Sequence, residues 1–384
     1  MKVLLVGNYE LSRQTSMQRF SGLLCSGLRA AGHEVRLMRP PVLIGKVGQA
    51  GALEKWLGYA DRFILFPPLL KQAAWWADLV HICDHSNSMY VKYVLNRPHV
   101  VTCHDMLAVR SALGEIPENP TSWTGQKLQQ MILNGLRQAA HIVCVSEATR
   151  QELIRIAAVQ AHSVSTIYNG LNFPYSPLGD TEARSQIAKF GIGANDGFIL
   201  HVGSNSWYKN RLGVLKILGR VKTLPQGKTI RLVMAGWPMT HDMRAFLREH
   251  RLQDDVVELV NPSNEDLKAL YSSADLLLFP SLHEGFGWPI IEAQACGCPV
   301  VTSNRMPMTE IGGEAAIYVD PDDVDSAAAV VAPLLRKRSQ PCESSVLNAK
   351  RFETADMILQ YTALFEKLVK DSSNAITGNT ARAT

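Results

Sequence analysis

The sequence lacks a long apolar segment, a signal-peptide pattern and a dense basic cluster. No hydrophobic run in its 384 residues approaches the roughly 20 residues that a membrane-spanning helix needs. The apolar run after Lys2 extends for only five residues before Asn8, which is too short for a secretory signal. We therefore expect this run to be a buried strand of a cytoplasmic protein. Without a basic cluster or an aromatic RNA-binding motif, nucleic acid is not an expected partner.

Cysteine is sparse and scattered. Seven cysteines, an odd number, stand at positions 25, 83, 103, 144, 296, 298 and 342. Their surroundings favour reduced, buried thiols of a cytosolic protein over a disulfide framework. Cys296 and Cys298 have no cluster of histidine or further cysteine nearby. We therefore expect no metal site.

The most informative segment runs from Ala274 to Asn304 and reads ADLLLFPSLHEGFGWPIIEAQACGCPVVTSN. An apolar run of strand length ends at Pro280, and a turn with two glycines follows. Pro289 stands where the first turn of a helix tolerates it. Gly297 is a helix stop, and a second apolar run begins at Pro299. The segment is predicted to fold as strand, glycine turn, helix and strand.

The glycine turn combines the features of a phosphate site with two carboxylates. Amide groups and the positive dipole end at a helix start bind phosphate without a metal. Glu284 precedes the turn, and Glu292 follows on the helix with seven residues between them. Carboxylates accept hydrogen bonds from sugar hydroxyls, so the pattern predicts a nucleotide sugar, with Glu284 at the transferred sugar and Glu292 at the ribose. The alternative is an ordinary βαβ unit with solvated glutamates.

The segment resembles the donor-binding signature of retaining GT-B glycosyltransferases, glycosyltransferase family 4. The matching residues are Glu284, Gly285, Phe286, Gly287, Pro289, Glu292, Ala293, Ala295, Gly297, Pro299 and Val300. The resemblance implies an α/β chain with two Rossmann-like domains, each with a doubly wound parallel sheet, facing a cleft. It also implies that the donor diphosphate binds at Gly285, Phe286, Gly287 and Trp288.

A second turn, SNSWYKNR, follows a predicted strand at Phe198–Val202. Lys209 is expected to reach the donor diphosphate from this turn as a point charge. In the family an arginine and a lysine commonly share this task. Ser204 follows the glycine and Tyr208 precedes the lysine here, so Arg211 is the predicted replacement for the arginine.

Polar residues follow two predicted strands of the N-terminal half, Asp78–Ile82 and His99–Cys103. Ligands of open α/β sheets bind beyond the carboxyl ends of the strands. The sequence VVTCHD resembles the family's HD element, which implies that His104 approaches the transferred sugar and that Asp105 orients it or contacts the acceptor. A histidine satisfied by a loop hydrogen bond is the alternative for His104. Further residues predicted at the acceptor or the cleft are Asn8, His85, Ser146 and Asn169, although helix capping alone explains Ser146.

Positive charge is concentrated near the N-terminus. Residues 1–80 hold ten Lys or Arg against five Asp or Glu, in a chain of net charge +4. The segment 55–80 is rich in aromatic residues and leucine. It is interpreted either as an amphipathic helix that contacts an anionic membrane, or as a core-facing helix pair broken at Pro67–Pro68, which is slightly favoured. The first interpretation predicts peripheral contact at the inner face of the membrane.

A chain of this length exceeds one usual core, so two domains are expected. We predict an N-terminal, acceptor-side domain over 1–172 and a C-terminal, nucleotide-sugar-binding domain over 180–351, with a hinge between 170 and 180. A helix over 352–370 is predicted to complete the first domain. Residues 371–384 are predicted to form a flexible tail.

Together, these features predict a hexosyltransferase that is metal-independent and retaining. Its donor would be UDP- or GDP-linked, and its acceptor a saccharide or a lipid-linked saccharide, in cell-surface glycan synthesis. No cofactor is expected, because the predicted nucleotide sugar is a substrate. Two alternatives stay open. One is a nucleotide-sugar epimerase of the same fold, which acts without an acceptor. The other is a non-catalytic nucleotide-sugar-binding protein, given the missing arginine.

Overall fold

Two parallel β-sheets organise the chain in the computed structural model, which describes residues 1–12, 14–44, 57–193, 196–335 and 340–380. The chain divides into two units. The N-terminal unit holds Met1–Asn172 and the last helix from Thr354, and the C-terminal unit holds Phe173–Glu353.

The N-terminal unit is a six-stranded sheet with flanking helices. Its strands are β1 Lys2–Val6, β2 Glu34–Met38, β3 Leu79–Ile82, β4 His99–Cys103, β5 His141–Cys144 and β6 Val164–Thr166. They lie in the order β2-β1-β3-β4-β5-β6, and all neighbours are parallel. The helices are α1 Thr15–Ala30, α2 Phe66–Ala74, α3 Leu107–Ala112, α4 Trp123–Gln138 and α5 Glu147–Ala157. The inner strands are mostly apolar and buried, as a sheet covered on both faces requires.

The C-terminal unit has the same plan. Its strands are β7 Phe198–Gly203, β8 Arg231–Gly236, β9 Val256–Val260, β10 Leu276–Phe279, β11 Val300–Ser303 and β12 Ala316–Val319. They are parallel and lie in the order β12-β11-β10-β7-β8-β9. The helices are α6 Asp180–Ile187, α7 Arg211–Val221, α8 His241–Glu249, α9 Asn264–Ser273, α10 Trp288–Ala295, α11 Met308–Gly312, α12 Val324–Val331 and α13 Glu343–Ala349. The predicted strand, glycine turn, helix and strand are confirmed as β10, α10 and β11.

Each sheet has one point at which the strand order reverses direction. In the N-terminal unit it lies between β1 and β3, and in the C-terminal unit it lies between β7 and β10. Chains that leave two such strands diverge to opposite sides and open a crevice at the carboxyl ends. The residues that follow these four strands are therefore the ones that the fold places at a ligand site.

The segment before β3 forms one continuous helical stretch, so the predicted break at Pro67–Pro68 is wrong. Residues 57–60 are α-helical, Asp61–Leu65 form a π-helix, and α2 follows directly. The two prolines stand at the start of α2, where a missing N–H is tolerated. Lys55 and Trp56 of the same prediction lie outside the described residues.

One face of this helical stretch lies against the core. Phe66, Leu70 and Ala74 are buried there, as the core-facing interpretation predicts. Ile64 and Trp75 are 68% and 70% exposed. Among the described helices, none has the length and apolar character that a bilayer span requires.

Two helices differ from their predicted bounds. The sequence predicts the helix before β5 from Gln126 with Thr124 as a cap, but α4 begins at Trp123, and the Ser122 hydroxyl accepts the Gly125 N–H at 3.4 Å. The last helix, α14 Thr354–Thr380, continues into the predicted flexible tail. No proline follows residue 341 to interrupt it. Residues 381–384 lie outside the described part.

Buried histidines make the stability of the protein pH-dependent. Burial lowers the pKa of His81 and of His201 to about 3, far below the ordinary value of about 6.5. The unfolded chain therefore binds more protons than the folded one below pH 6.5, and folding free energy is lost as the pH falls from 6.5 toward 3. We expect about 2 kcal/mol lost for each of the two at pH 5.

Urea unfolding at pH 7.5 and pH 5 measures this loss. The variant His81→Gln removes one titrating group, so its unfolding free energy should depend less steeply on pH. Equal unfolding free energies of the unaltered protein at the two pH values would contradict the prediction.

Candidate functional site

Two loops of the C-terminal unit, one after β7 and one after β10, meet through a buried ion pair. The Lys209 Nζ lies 2.7 Å from the Glu284 Oε1. The two side chains are 15% and 7% exposed, so water screens their attraction weakly. The loops are also joined by the Leu282 N–H, which donates to the Tyr208 carbonyl at 2.7 Å. Lys209 lies 5.1 Å above the Phe279 ring, which adds a cation–π contact.

The glycine turn that follows Glu284 leads directly into α10. Gly287 has φ +100° and forms the N-terminal cap of α10, a conformation that other residues rarely adopt. A Cβ atom at this position would also lie 3.2 Å from the Ile290 side chain. Phe286 is 5% exposed and packs edge-on against Phe352 at 5.7 Å. The turn from Gly285 to Trp288 is thus fixed by its backbone conformation and by a buried aromatic anchor.

Glu292 lies one turn into α10 and is held by a tyrosine of α9. It is 5% exposed, and its Oε2 accepts a hydrogen bond from the Tyr271 hydroxyl at 2.9 Å. Burial, together with the negative charge of Glu292, raises the pKa of Tyr271 well above its usual value. The hydroxyl therefore stays protonated and fixes one oxygen of the carboxylate.

Arg211 lies at the start of α7 and is 2% exposed. Its Nη1 donates to the Trp237 carbonyl at 2.8 Å and to the Asn205 side chain. Burial lowers the pKa of Arg211. Its Nε and Nη2 are buried and make no hydrogen bond within the described residues. Arg211 thus holds the loop after β8, and its predicted contact with a diphosphate stays a prediction.

The N-terminal unit has a polar cluster beyond β1 and β3. Asp84 is 2% exposed and accepts hydrogen bonds from the Asn8 side chain and from the Ser86 N–H and hydroxyl. The His85 Nδ1 lies 3.2 Å from the Asp84 Oδ1. Burial opposes ionisation of Asp84, but the neighbouring imidazole of His85 and the hydrogen bonds hold its pKa below its usual value. Asn8 also bonds Gln14, so its amide orients Asp84 and the first loop.

His104 lies beside this cluster at the end of β4. Its Nε2 lies 2.8 Å from the Cys83 carbonyl, an acceptor, so Nε2 carries the proton and Nδ1 has the lone pair. Its backbone nitrogen lies 3.3 Å from the His85 Nδ1, and the Phe20 ring packs edge-on at 4.8 Å. Burial lowers the pKa of His104, although Asp84 opposes the shift. The loop hydrogen bond of the alternative interpretation is present, and it sets the tautomer that leaves Nδ1 as an acceptor.

Of the three remaining predicted residues, Asp105 and Ser146 have local hydrogen-bond partners. Asp105 accepts the Leu107 N–H at 2.9 Å at the start of α3. Ser146 is fully buried and caps α5 by accepting the Thr149 N–H at 3.1 Å. Asn169 is 3% exposed, and its side-chain oxygen is buried without a hydrogen-bond partner among the described residues. The structure therefore groups Asn8 and His85 with His104, and gives Ser146 the capping role.

Two residues of the two sites are absent from the predicted set. Asp84, two residues after the end of β3, belongs to the polar group predicted beyond that strand, but the sequence predicts no specific role for it. Phe279 is the last residue of the apolar run of β10, and nothing in the sequence indicates its contact with Lys209. Tyr271 stands 21 residues from Glu292, and nothing local in the sequence pairs them.

Metal ligands are not grouped in the described part of the chain. No set of three or more His, Cys, Asp or Glu side chains there is placed to hold an ion. Six of the seven cysteines are buried, and Cys342 is half-buried.

Two family models match successive parts of the chain. The model described as Glycosyltransferase Family 4 matches residues 17–173, and the model described as Glycosyl transferases group 1 matches residues 182–352. Together they span most of both units.

Curated relatives are similar over part of their length. O-antigen chain mannosyltransferase B of Escherichia coli is 29% identical over 259 residues, which are 66% of this chain and 65% of that protein. D-inositol 3-phosphate glycosyltransferase of Mycolicibacterium smegmatis is 26% identical over 289 residues, 71% of this chain and 63% of the relative. The chain thus spans just under two thirds of the length of these two relatives.

Solved structures share the fold at low sequence identity. Anabaena HepE in complex with UDP and glucose is 17% identical with a TM-score of 0.73, covering 96% of this chain and all of that one. Sucrose-phosphate synthase from Thermosynechococcus elongatus is 19% identical with a TM-score of 0.73, covering 97% and 100%. The chain belongs to the GT-B glycosyltransferases of family 4.

Proposed function

We propose that this protein is a retaining, metal-independent hexosyltransferase. It transfers a sugar from a UDP- or GDP-linked donor to a saccharide or lipid-linked acceptor in cell-surface glycan synthesis. The observation that carries the proposal is the buried pair of Lys209 and Glu284 at the turn before α10. The pair places a fixed cation beside a fixed carboxylate. The cation suits the diphosphate of a nucleotide sugar, and the carboxylate suits the sugar joined to it. The names of the relatives, a mannosyltransferase of O-antigen chains and an inositol phosphate glycosyltransferase, support transfer to a saccharide or a polyol.

In this proposal the protein acts mainly through electrostatics. Lys209 and the N-terminal end of α10 stabilise the negative charge that grows on the departing diphosphate, without a metal or other cofactor. Glu284 accepts hydrogen bonds from the transferred sugar, and Glu292 from the ribose. The bond between the anomeric carbon and the phosphate oxygen breaks as the acceptor oxygen bonds the same face. The acceptor proton passes to the leaving phosphate oxygen.

The N-terminal unit contributes His104, whose Nδ1 accepts a hydrogen bond from a hydroxyl of the transferred sugar. Asp84, Asn8 and His85 hold the loop that carries it. Arg211 and Asp105 act as supporting contacts to donor and acceptor. Peripheral contact with an anionic membrane and a cytoplasmic location stay predictions.

A donor screen tests the proposal. Thermal unfolding is measured with UDP-glucose, UDP-N-acetylglucosamine and GDP-mannose, because a ligand that binds the native state raises the melting temperature. Consumption of the best donor is then followed with and without mono- and oligosaccharide acceptors. Transfer that depends on an acceptor is the expected result. Conversion of the donor without an acceptor, or binding without turnover, would contradict it in favour of an epimerase or of a binding protein.

Glu292→Gln is expected to raise the KM for the donor about tenfold, since charge-assisted hydrogen bonds contribute about 1.5–3 kcal/mol. Tyr271→Phe, which removes the hydrogen bond that Tyr271 donates to Glu292, should act in the same direction with a smaller effect. Tyr90→Phe is the control, because Tyr90 is a buried tyrosine of the N-terminal unit whose hydroxyl donates to the Arg62 carbonyl at 3.0 Å. Steady-state kinetics with varied donor measure all three variants. If the donor KM is the same in Glu292→Gln and Tyr90→Phe, Glu292 does not bind the donor.

A further inference from the structure

A groove between α3 and α4 has no part in the site described above. It has a volume of about 270 Å³, close to the ~300–1,000 Å³ of small-molecule sites. Trp123, 70% exposed, and Leu113, 53% exposed, form its apolar part. Its polar part is formed by Gln126, Gln129, Gln130 and Lys127.

The glutamines of this groove have unused hydrogen-bonding capacity. The Gln126 amide donates to the Thr121 carbonyl at 3.2 Å, and the Gln130 amide donates to the Asn134 side chain at 3.0 Å. Gln129 has a buried side-chain oxygen with no hydrogen-bond partner among the described residues. An unsatisfied buried acceptor is costly, so a rotation of the Gln129 amide that lets a ligand hydroxyl donate to this oxygen would be favoured.

The chemistry of the lining selects a class of ligand. An exposed indole offers a broad apolar face with a polar edge, and glutamine side chains both donate and accept. Lys127, 5.6 Å from the Trp123 ring, is the only charged residue among those that line the groove. A flat, mostly neutral ligand with many hydroxyl groups fits this lining, and that description applies to a saccharide.

The topology places the groove at the same edge of the sheet as His104. The helix α3 begins at Leu107, three residues after His104 at the end of β4. The helix α4 ends at Gln138 just before β5 begins at His141, so its first residue, Trp123, lies toward the edge where the parallel strands end. A saccharide bound at His104 could therefore continue into the groove.

A second groove of the N-terminal unit serves as a comparison. It has a volume of about 230 Å³ and is lined by Trp75, which is also 70% exposed, and by Lys71 and Arg97. Arg97 lies 5.5 Å from the Trp75 ring. Trp75 follows α2 and Arg97 precedes β4, so this groove lies at the opposite edge of the sheet.

We infer that the groove between α3 and α4 is a saccharide subsite, which binds acceptor sugars beyond the one that receives the transferred residue. The inference rests on the proposed function and adds that the acceptor is an oligosaccharide or the glycan part of a larger molecule. Single sugars do not reach the subsite, so it affects only longer acceptors.

The test compares Trp123→Ala with Trp75→Ala, because both tryptophans are equally exposed and neither substitution empties the core. Transfer is measured at saturating donor to mannose and glucose oligosaccharides of one to five units. We expect Trp123→Ala to raise the KM about tenfold for the longer acceptors, to leave that for monosaccharides unchanged, and to leave the donor KM unchanged. Gln129→Leu should act in the same direction, and Trp75→Ala should change none of these values.

Saturation-transfer NMR with the mannose and glucose pentasaccharides provides a second readout that needs no turnover. Binding that is lost in Trp123→Ala and kept in Trp75→Ala supports the subsite. If such binding is seen but no acceptor is glycosylated, the proposed function is wrong while the subsite is still supported. Equal binding by both variants, or an equal change of KM for short and long acceptors, would overturn the inference.

Discussion

Lys209→Met is expected to lower kcat about 100- to 1,000-fold, the loss found when one preorganised donor at a developing anion is removed. The physical reason is that the proposed mechanism places Lys209 at the diphosphate, and its ammonium group is held 2.7 Å from Glu284 with little access to water. The charge is thus in place before the diphosphate departs. Initial rates at saturating donor and acceptor, for the pair identified by the screen, measure the effect.

The same substitution has a separate effect on stability. Glu284 would remain buried without its partner, and removal of one member of a buried ion pair costs about 3–5 kcal/mol. The double variant Lys209→Met, Glu284→Gln leaves no unpaired charge, so we expect it to regain most of the unfolding free energy. Turnover should stay low, because neither the cation nor the carboxylate is present.

Lys222→Met is the matched control for this experiment. The Lys222 Nζ lies 2.6 Å from the Asp255 Oδ1, and its side chain is 16% exposed, close to the values for Lys209. This pair stands between the end of α7 and the start of β9, at the edge of the sheet opposite to Glu284. Its loss should lower stability and leave kcat unchanged. Recovery of turnover in the double variant, or a similar loss of kcat in Lys222→Met, would show that the Lys209 pair is only structural.

His104→Gln should lower kcat/KM about 100-fold, because its amide can replace the Nε2 donor to the Cys83 carbonyl but offers no acceptor at the position of Nδ1. Burial lowers the pKa of His104 below its usual value of about 6.5. Protonation therefore removes the lone pair with a midpoint below pH 6.5. We expect kcat/KM of the unaltered protein to fall with a midpoint below pH 6.5 as the pH is lowered. A midpoint above pH 6.5 would contradict this assignment.

His99→Gln controls for the loss of a buried histidine. His99 is 3% exposed and lies at the first residue of β4, while His104 follows its last. Its ring nitrogens bond the Arg97 carbonyl at 2.8 Å and the Ala140 N–H at 3.0 Å. The variant should lose stability and keep its kcat/KM. If it loses activity as strongly as His104→Gln, the effect belongs to the sheet and not to the site.

Local sequence was sufficient where structure depends on neighbours in the chain. The strand β10 follows from its run of consecutive apolar residues. The glycine turn and the start of α10 at Trp288 follow from Gly287 and Pro289. Local patterns failed where several choices were equivalent. Thr121, Ser122 and Thr124 all offer a hydroxyl, and only the structure selects Ser122 as the cap of α4.

The sequence by itself determined the parallel-sheet plan of each unit and the identity of the glycine turn with its flanking acids, because strand, turn and helix signals act over a few residues. Only the tertiary structure decided which distant groups meet. Lys209 and Glu284 are 75 residues apart, and Asn8 and Asp84 are 76 apart. Parallel strands require long crossovers, so neighbours at the carboxyl edge are far apart in the chain, and their distance, burial and pairing are set by the packed sheet.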